Sequence, residues 1–177
     1  MSHWRQFFSI GLLVALLAGC ASSPPPGPAV QTVAAVDLQR YLGKWYEIGR
    51  FPMFFQRSCL GDTTAEYTSL ADGRIGVRNR CRTADGFTEA DGRASVVPGS
   101  GNAKLKVSFF WPFAGDYWVI GLDPEYRWAV IGHPERKTLW ILARTPRLSP
   151  EQLQAAKQAA QAQGYDLTGL LLTEHRE

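Results

Sequence analysis

The residues of this chain whose types and spacing could do chemistry are few, and three are cysteines: Cys20, Cys59 and Cys81. Cys20 closes an opening segment with His3 and Arg5 followed by an almost wholly apolar run, Phe7 to Leu17. That is the pattern of a secretory signal with a small-residue cleavage site at Ala18-Gly19. The run is too short for a stable membrane span, which takes ~20 apolar residues. With residues 1–19 removed, the remaining histidines are His133 and His175, and neither lies in a nucleophile or metal-ligand motif. The chain has no Gly-rich phosphate loop and no Cys/His zinc spacing. Carboxylates such as Asp62, Glu66 and Glu89 stand singly. The expectation is a protein that is not an enzyme, with no catalytic residue, no metal and no cofactor.

Leu17-Ala18-Gly19-Cys20 resembles the lipobox of bacterial lipoproteins. The resemblance implies cleavage before Cys20, a diacylglycerol on its thiol and an acyl chain on the new amine. One acyl chain holds a membrane marginally and two or more hold it stably. Ala21 after the cysteine implies the outer membrane, with the domain facing the periplasm. Ala21 to Ala35 holds four Pro, one Gly and two Ser and no charge. It reads as a flexible tether of up to roughly 45–50 Å. In that oxidising compartment Cys59 and Cys81 are expected to pair, the alternative being two buried free thiols.

The mature 158 residues suffice for one domain with a sizeable core. Loss of the leader removes Arg5 alone, so 18 Lys and Arg remain against 16 Asp and Glu. A balance so small and evenly spread, with no basic block, argues against a nucleic-acid partner. From Gly43 onward short strand-like segments alternate with turn signals. Strands are expected at about 43–51, 61–69, 73–81, 88–97, 103–110, 115–122, 126–132 and 138–145. Ser149 as N-cap, Pro150 at the first helical position and Gly164 as a stop frame one helix over Glu151–Gln163. A last strand-like piece runs from Leu167 to Thr173. The order is all-β: an eight-stranded up-and-down antiparallel barrel with one C-terminal helix packed on its wall.

Three stretches carry a family resemblance. Gly43-Lys44-Trp45-Tyr46-Glu47 resembles the Gly-x-Trp signature that opens the first strand of lipocalins. Leu122-Asp123-Pro124-Glu125-Tyr126 falls where that family has its second motif, departing from the common Thr-Asp-Tyr form but keeping an Asp and a Tyr. Trp140-Ile141-Leu142-Ala143-Arg144-Thr145-Pro146 resembles the third. The match covers about residues 36–175 and is nearest to bacterial outer-membrane lipoprotein lipocalins and apolipoprotein D. It implies a calyx that stores or transports fatty acids or lysophospholipids.

In such a barrel Trp45 and Arg144 meet where the first and last strands close, so Gly43, Trp45 and Arg144 are expected to be structural. Pro52-Met53-Phe54-Phe55 and Phe110-Trp111-Pro112-Phe113 put apolar clusters at the open mouth, as a lid or a surface for membrane or an apolar partner. Cys59 and Cys81 lie near the same mouth, where a bridge closing about 23 residues contributes ~3 kcal/mol and pins the entrance loop. Alternation places Ala65, Tyr67, Ile75, Val77, Asn79, Val107, Phe109, Trp118, Ile120, Trp140 and Leu142 inside. Of these, Tyr67, Val77, Phe109, Trp118, Trp140 and Leu142 are the expected ligand-binding set. Arg57, Arg82, Arg136 or Lys137 would meet a polar head. Two other readings stay open: a structural or assembly lipoprotein with a filled barrel, and an enzyme using an unpaired rim thiol. A homodimer is a further open alternative.

Overall fold

The computed structural model describes residues 27–176, so the leader, Cys20 and the first part of the tether lie outside the described residues. Eight antiparallel strands follow the expected order: β1 (Gly43–Arg50), β2 (Gly61–Ser69), β3 (Ile75–Thr83), β4 (Gly86–Val96), β5 (Lys104–Phe110), β6 (Phe113–Leu122), β7 (Trp128–Gly132) and β8 (Leu139–Ala143). Each pairs with its neighbour, and β1 pairs with both β8 and β2, which closes the barrel. The helix α2 (Pro150–Ala162) starts at a full capping box, Ser149 with Gln152. Its small residues Ala156 and Ala160 are buried against Ile120, Trp128, Val130 and Ile141 on the outer wall.

Closure explains the short β9 (Leu171–Leu172). β2 pairs with β1 only from Gly43 to Tyr46 and then departs. Unpaired strand edges template unwanted pairing. β9 fills the gap by pairing with Gly49 and Arg50. The chain beyond it then reaches β2, where Asp62 N donates to Glu174 O and Arg176 N donates to the Asp62 carboxylate.

The barrel floor is built around Trp45. Its ring is fully buried, its Nε1 donates to Tyr41 O at 2.8 Å, and the Arg144 guanidinium lies 3.9 Å over its face. Arg144 also donates to Lys44 O (2.9 Å) and Arg40 O. Gly43 sits at φ +89°, and a Cβ there would lie 3.6 Å from Arg144 Nη1. A side chain would be strained and pressed against the plug. Tyr41 belongs to a one-turn helix, α1 (Leu38–Tyr41), capped by the Asp37 side chain. That turn was not anticipated from the sequence.

Residues 27–36 correct a second expectation. The tether is not loose along its whole length. Val36 N donates to Gly101 O at the floor, Val33 N donates to Val119 O, and Val30 is buried beside the outer cluster under α2. Arg136 in the β7–β8 connection donates to Pro28 O. The segment is a strap that climbs the barrel wall from floor to mouth.

Arg144→Ala removes a cation–π contact and two hydrogen bonds to carbonyls, and should lower stability by about 1–3 kcal/mol in urea melts. At the β6–β7 turn, Asp123 accepts from Arg127 Nε and Nη2 and from the Arg127 and Glu125 backbone amides. Those bonds, with the side-chain contact to Arg127 foremost, outweigh burial and hold its carboxyl below the usual carboxylate range. A depressed acid stabilises the fold above its unfolded value near ~4 and loses that contribution as pH falls through the native value. Asp123→Asn should therefore cost about 1–2 kcal/mol at neutral pH, with the gap to the parent closing in chemical melts as pH falls below the ordinary carboxylate range.

Candidate functional site: the calyx

Cross-strand partners share a face, so the register identifies the lining. Ile75 pairs with Ala94, Val77 with Gly92, and Asn79 with Ala90. Val107 pairs with both Ala94 and Gly115, and Leu105 with Tyr117. Ile131 pairs with Trp140 and Ala129 with Leu142. The members of this set around Trp45, Tyr67 and Val119 form one interior cluster.

The lower half of the calyx is filled. Tyr117 Oη lies 2.7 Å from Tyr41 Oη and 2.9 Å from Tyr67 Oη, so three buried hydroxyls satisfy one another. Burial pushes the Tyr67 hydroxyl up to about 12 and raises Tyr41 and Tyr117 as well, which keeps the trio neutral. A void the size of about one water sits among Tyr67, Tyr117, Leu105 and Val107.

Toward the mouth several inward positions are small. Ala90 and Gly115 share the inward face with Ala94 and Val107 and are exposed, Ala90 on the stretch of β4 that extends past its pairing with β5. Gly92 is bare for a specific reason: a Cβ there would lie 2.8 Å from the Phe109 ring. Phe109 therefore lies across the β4 backbone, and with Val107 and Trp140 supplies an apolar wall.

One side of the calyx here is polar. A bulge in β1 at Ile48 turns both Glu47 and Arg50 inward, opposite Leu142 and Trp140. Glu47 is buried and within 3.3 Å of Arg50 Nε. Gln56, from the entrance loop, donates to Glu47 Oε2 at 2.8 Å and accepts from Trp140 Nε1 at 3.1 Å. Thr173 Oγ1 donates to the other carboxylate oxygen at 2.6 Å. Gln56 thus latches the loop onto the calyx wall. The Cys59–Cys81 disulfide, with Cα atoms 5.5 Å apart, holds the same loop from its far side.

The expected lining divides in two. Tyr67, Val77, Phe109, Trp140 and Leu142 belong to or pack on the interior cluster. Trp118 does not: it and Ile120 pack on the outer cluster beneath α2. Trp118 Nε1 turns to Asp116 and Lys104 Nζ lies 4.1 Å from its ring. Both faces of β6 are apolar, and the helix covers the outer one, so alternation alone chose the wrong face. Tyr117 and Val119 are the residues that point inward. Among the rim cations, Arg82 is paired with Asp62 at 2.7 Å, Arg136 bonds Gln163 O and Pro28 O, and Lys137 pairs with Glu135. Arg57 is exposed beside Phe54 and Phe55. Sequence reasoning missed Glu47, Arg50 and Gln56. The acid–base spacing in Glu47-x-x-Arg50 was visible, but the bulge that gives both one face was not.

The Cys59 and Cys81 thiols are consumed in the disulfide, so neither is available as a nucleophile. No group of three or more His, Cys, Asp or Glu able to hold a metal ion occurs among the described residues. The arrangement suits sequestration of a narrow apolar chain with a polar end near the rim.

Comparison with known proteins agrees with this geometry. A family model described as a lipocalin-like domain matches residues 36–175. The outer membrane lipoprotein Blc of Citrobacter freundii is 42% identical over 159 residues, 89% of each chain. Temperature-induced lipocalin-1 of Arabidopsis thaliana is 39% identical over 150 residues, 80% of each chain. Apolipoprotein D of Bos taurus is 32% identical over 160 residues, covering 84% of this chain and 81% of its own. Among solved structures, insecticyanin of the tobacco hornworm Manduca sexta superposes with a TM-score of 0.71 at 19% identity, over 88% of this chain and 89% of that one. The closed eight-stranded barrel, its Trp45–Arg144 floor and the similarity over nearly all the described residues place the chain in the lipocalin family.

Proposed function

We propose that this protein is an outer-membrane lipoprotein, held by acylated Cys20, whose calyx binds a single-chain lipid: a fatty acid or lysophospholipid. The observation that carries this reading is the inward face near the mouth, where the small residues Ala90 and Gly115 stand beside the apolar side chains of Val107, Phe109 and Trp140. An eight-stranded barrel has space for one small ligand. Each methylene buried in an apolar site contributes ~0.8 kcal/mol before binding costs. The filled lower half stops a chain that enters from the mouth. Its polar head then rests at rim level, beside Arg57 and the Glu47–Arg50–Gln56 cluster. A paired acid and base suits a zwitterionic head as well as a carboxylate. The envelope location is supported by the Leu17-Ala18-Gly19-Cys20 lipobox and by relatives named outer membrane lipoproteins. Sequestration needs no reacting group, in keeping with the binding role of the family.

The reading against which this is weighed is a lipoprotein of purely structural role. It requires a filled barrel, whereas the inward face near the mouth carries the small residues Ala90 and Gly115.

Fatty-acid and lysophospholipid titrations on three variants test the proposal. Ala90→Phe puts a ring on the inward face and should abolish saturable binding while urea melts stay close to the parent. Trp140→Ala removes an apolar wall and should weaken binding by about 1–3 kcal/mol. Trp118→Ala, on the outer wall, should lower stability and leave the affinity of the folded protein unchanged. Unaltered binding by Ala90→Phe would remove this face from the account.

A further inference from the structure

We infer that the aromatic rim of the calyx docks on a lipid bilayer, so that the barrel stands mouth-first on the membrane that holds its own anchor. The inference rests on the lipoprotein reading of Cys20 and adds the face that meets the lipid.

The distribution of exposed apolar side chains is the first observation. Trp111 is 92% exposed, Phe110 79%, Phe113 76% and Phe54 73%. The first three form the β5–β6 hairpin tip, and Phe54 stands with Phe55 in the β1–β2 loop. The remaining large exposed hydrophobics among the described residues are Leu60, Phe87, Leu171 and Leu172. Leu60 ends the β1–β2 loop, Phe87 starts β4 opposite Arg82 at the mouth end of β3, and the β9 pair lies beside Gly49 and Arg50 in the mouth half of β1. The floor connections carry none; they expose Asp72, Gly99, Pro124 and Glu125. So many apolar side chains at one end of a barrel mark an interaction surface. Trp and Phe on an apolar tip suit the interfacial zone of a bilayer.

The path of the strap decides what that surface meets. The chain runs up the wall and reaches mouth level at Pro28, held there by Arg136 of the β7–β8 connection. Pro28 is only eight steps along the chain from Cys20. Their extended reach is roughly 26–29 Å. Gly132, which ends β7, pairs with Trp118, and Phe113 lies five residues further up β6. At ~3.4 Å per residue the aromatic tip stands no more than about 17 Å above that rung. The link is thus long enough to bring the acyl chains on Cys20 to the level of the tip. Exposed Arg57, next to Phe54 and Phe55, is placed to meet lipid phosphate. In this pose the calyx opens onto lipid, and a single-chain lipid enters without crossing water.

The acylated full-length protein, purified from membranes and reconstituted in phosphatidylethanolamine–phosphatidylglycerol vesicles, provides the test. The difference in emission between the protein and Trp111→Phe isolates Trp111, and the substitution keeps an aromatic ring on an exposed tip. Brominated acyl chains should quench that difference signal, and aqueous iodide should not. Quenching by iodide alone, in protein that still floats with the vesicles, overturns the docking and leaves the anchor standing. Shielding of Trp111 from both quenchers together with the mass of a dimer assigns the rim to a second copy and also overturns it. Protein that does not float with the vesicles overturns the anchor, and the docking with it.

Discussion

The stacking of Arg144 on Trp45 is the constraint on which the rest of this structure depends. An up-and-down barrel must join its first strand to its last, and here the two are joined at the floor by a guanidinium lying 3.9 Å from an indole. The same guanidinium collects the carbonyls of Lys44 and Arg40, so it also fixes the turn before β1. That turn delivers Tyr41, whose carbonyl receives the Trp45 N–H and whose hydroxyl begins the buried tyrosine trio. The floor is consequently solid, and the loops of the mouth lie at the opposite end. Cation–π contacts are worth ~0.5–2 kcal/mol, more when desolvated. Burial lowers the pKa of Arg144 yet the residue stays charged, as a guanidinium with its high reference value must.

Above that floor the structure divides its labour by side-chain size. Large residues fill the base, and Ala90 and Gly115 put little side chain near the rim. The mouth is then controlled by one loop, tied at Gln56 to Glu47 and Trp140 and at Cys59 to the barrel wall. A ligand-binding barrel needs both properties: rigidity where the strands close and room where the cargo enters.

Much of this was legible in the sequence, for reasons that can be named. Turn residues such as Asp72-Gly73 and Asp85-Gly86 punctuate strands strongly, so the strand order and the helix behind Ser149-Pro150 could be read directly. The Cys59–Cys81 pairing followed from compartment and topology. Alternation failed where its premise failed. On β6 both Tyr117-x-Val119 and Trp118-x-Ile120 are apolar, and only the helix outside decides which pair faces in. On β1 the bulge at Ile48 resets the phase, which hid Glu47 and Arg50 as a facing pair. The strap was misread because Pro and Ser suggested a linker. Val30, Val33 and Val36, recurring every third residue, were the overlooked sign of a segment with one buried side.

The central claim is that the calyx carries a single-chain lipid, and its contents test that claim most directly. Protein purified from its own membrane in mild detergent, exchanged free of loose lipid and extracted with organic solvent, should release a fatty acid or lysophospholipid in amounts approaching one per barrel by mass spectrometry. The acyl groups proposed on Cys20 would be covalent and would stay with the protein. An extract with no single-chain lipid, from protein that also fails to saturate with any such lipid added back, would contradict the account and leave the barrel a structural element of the envelope.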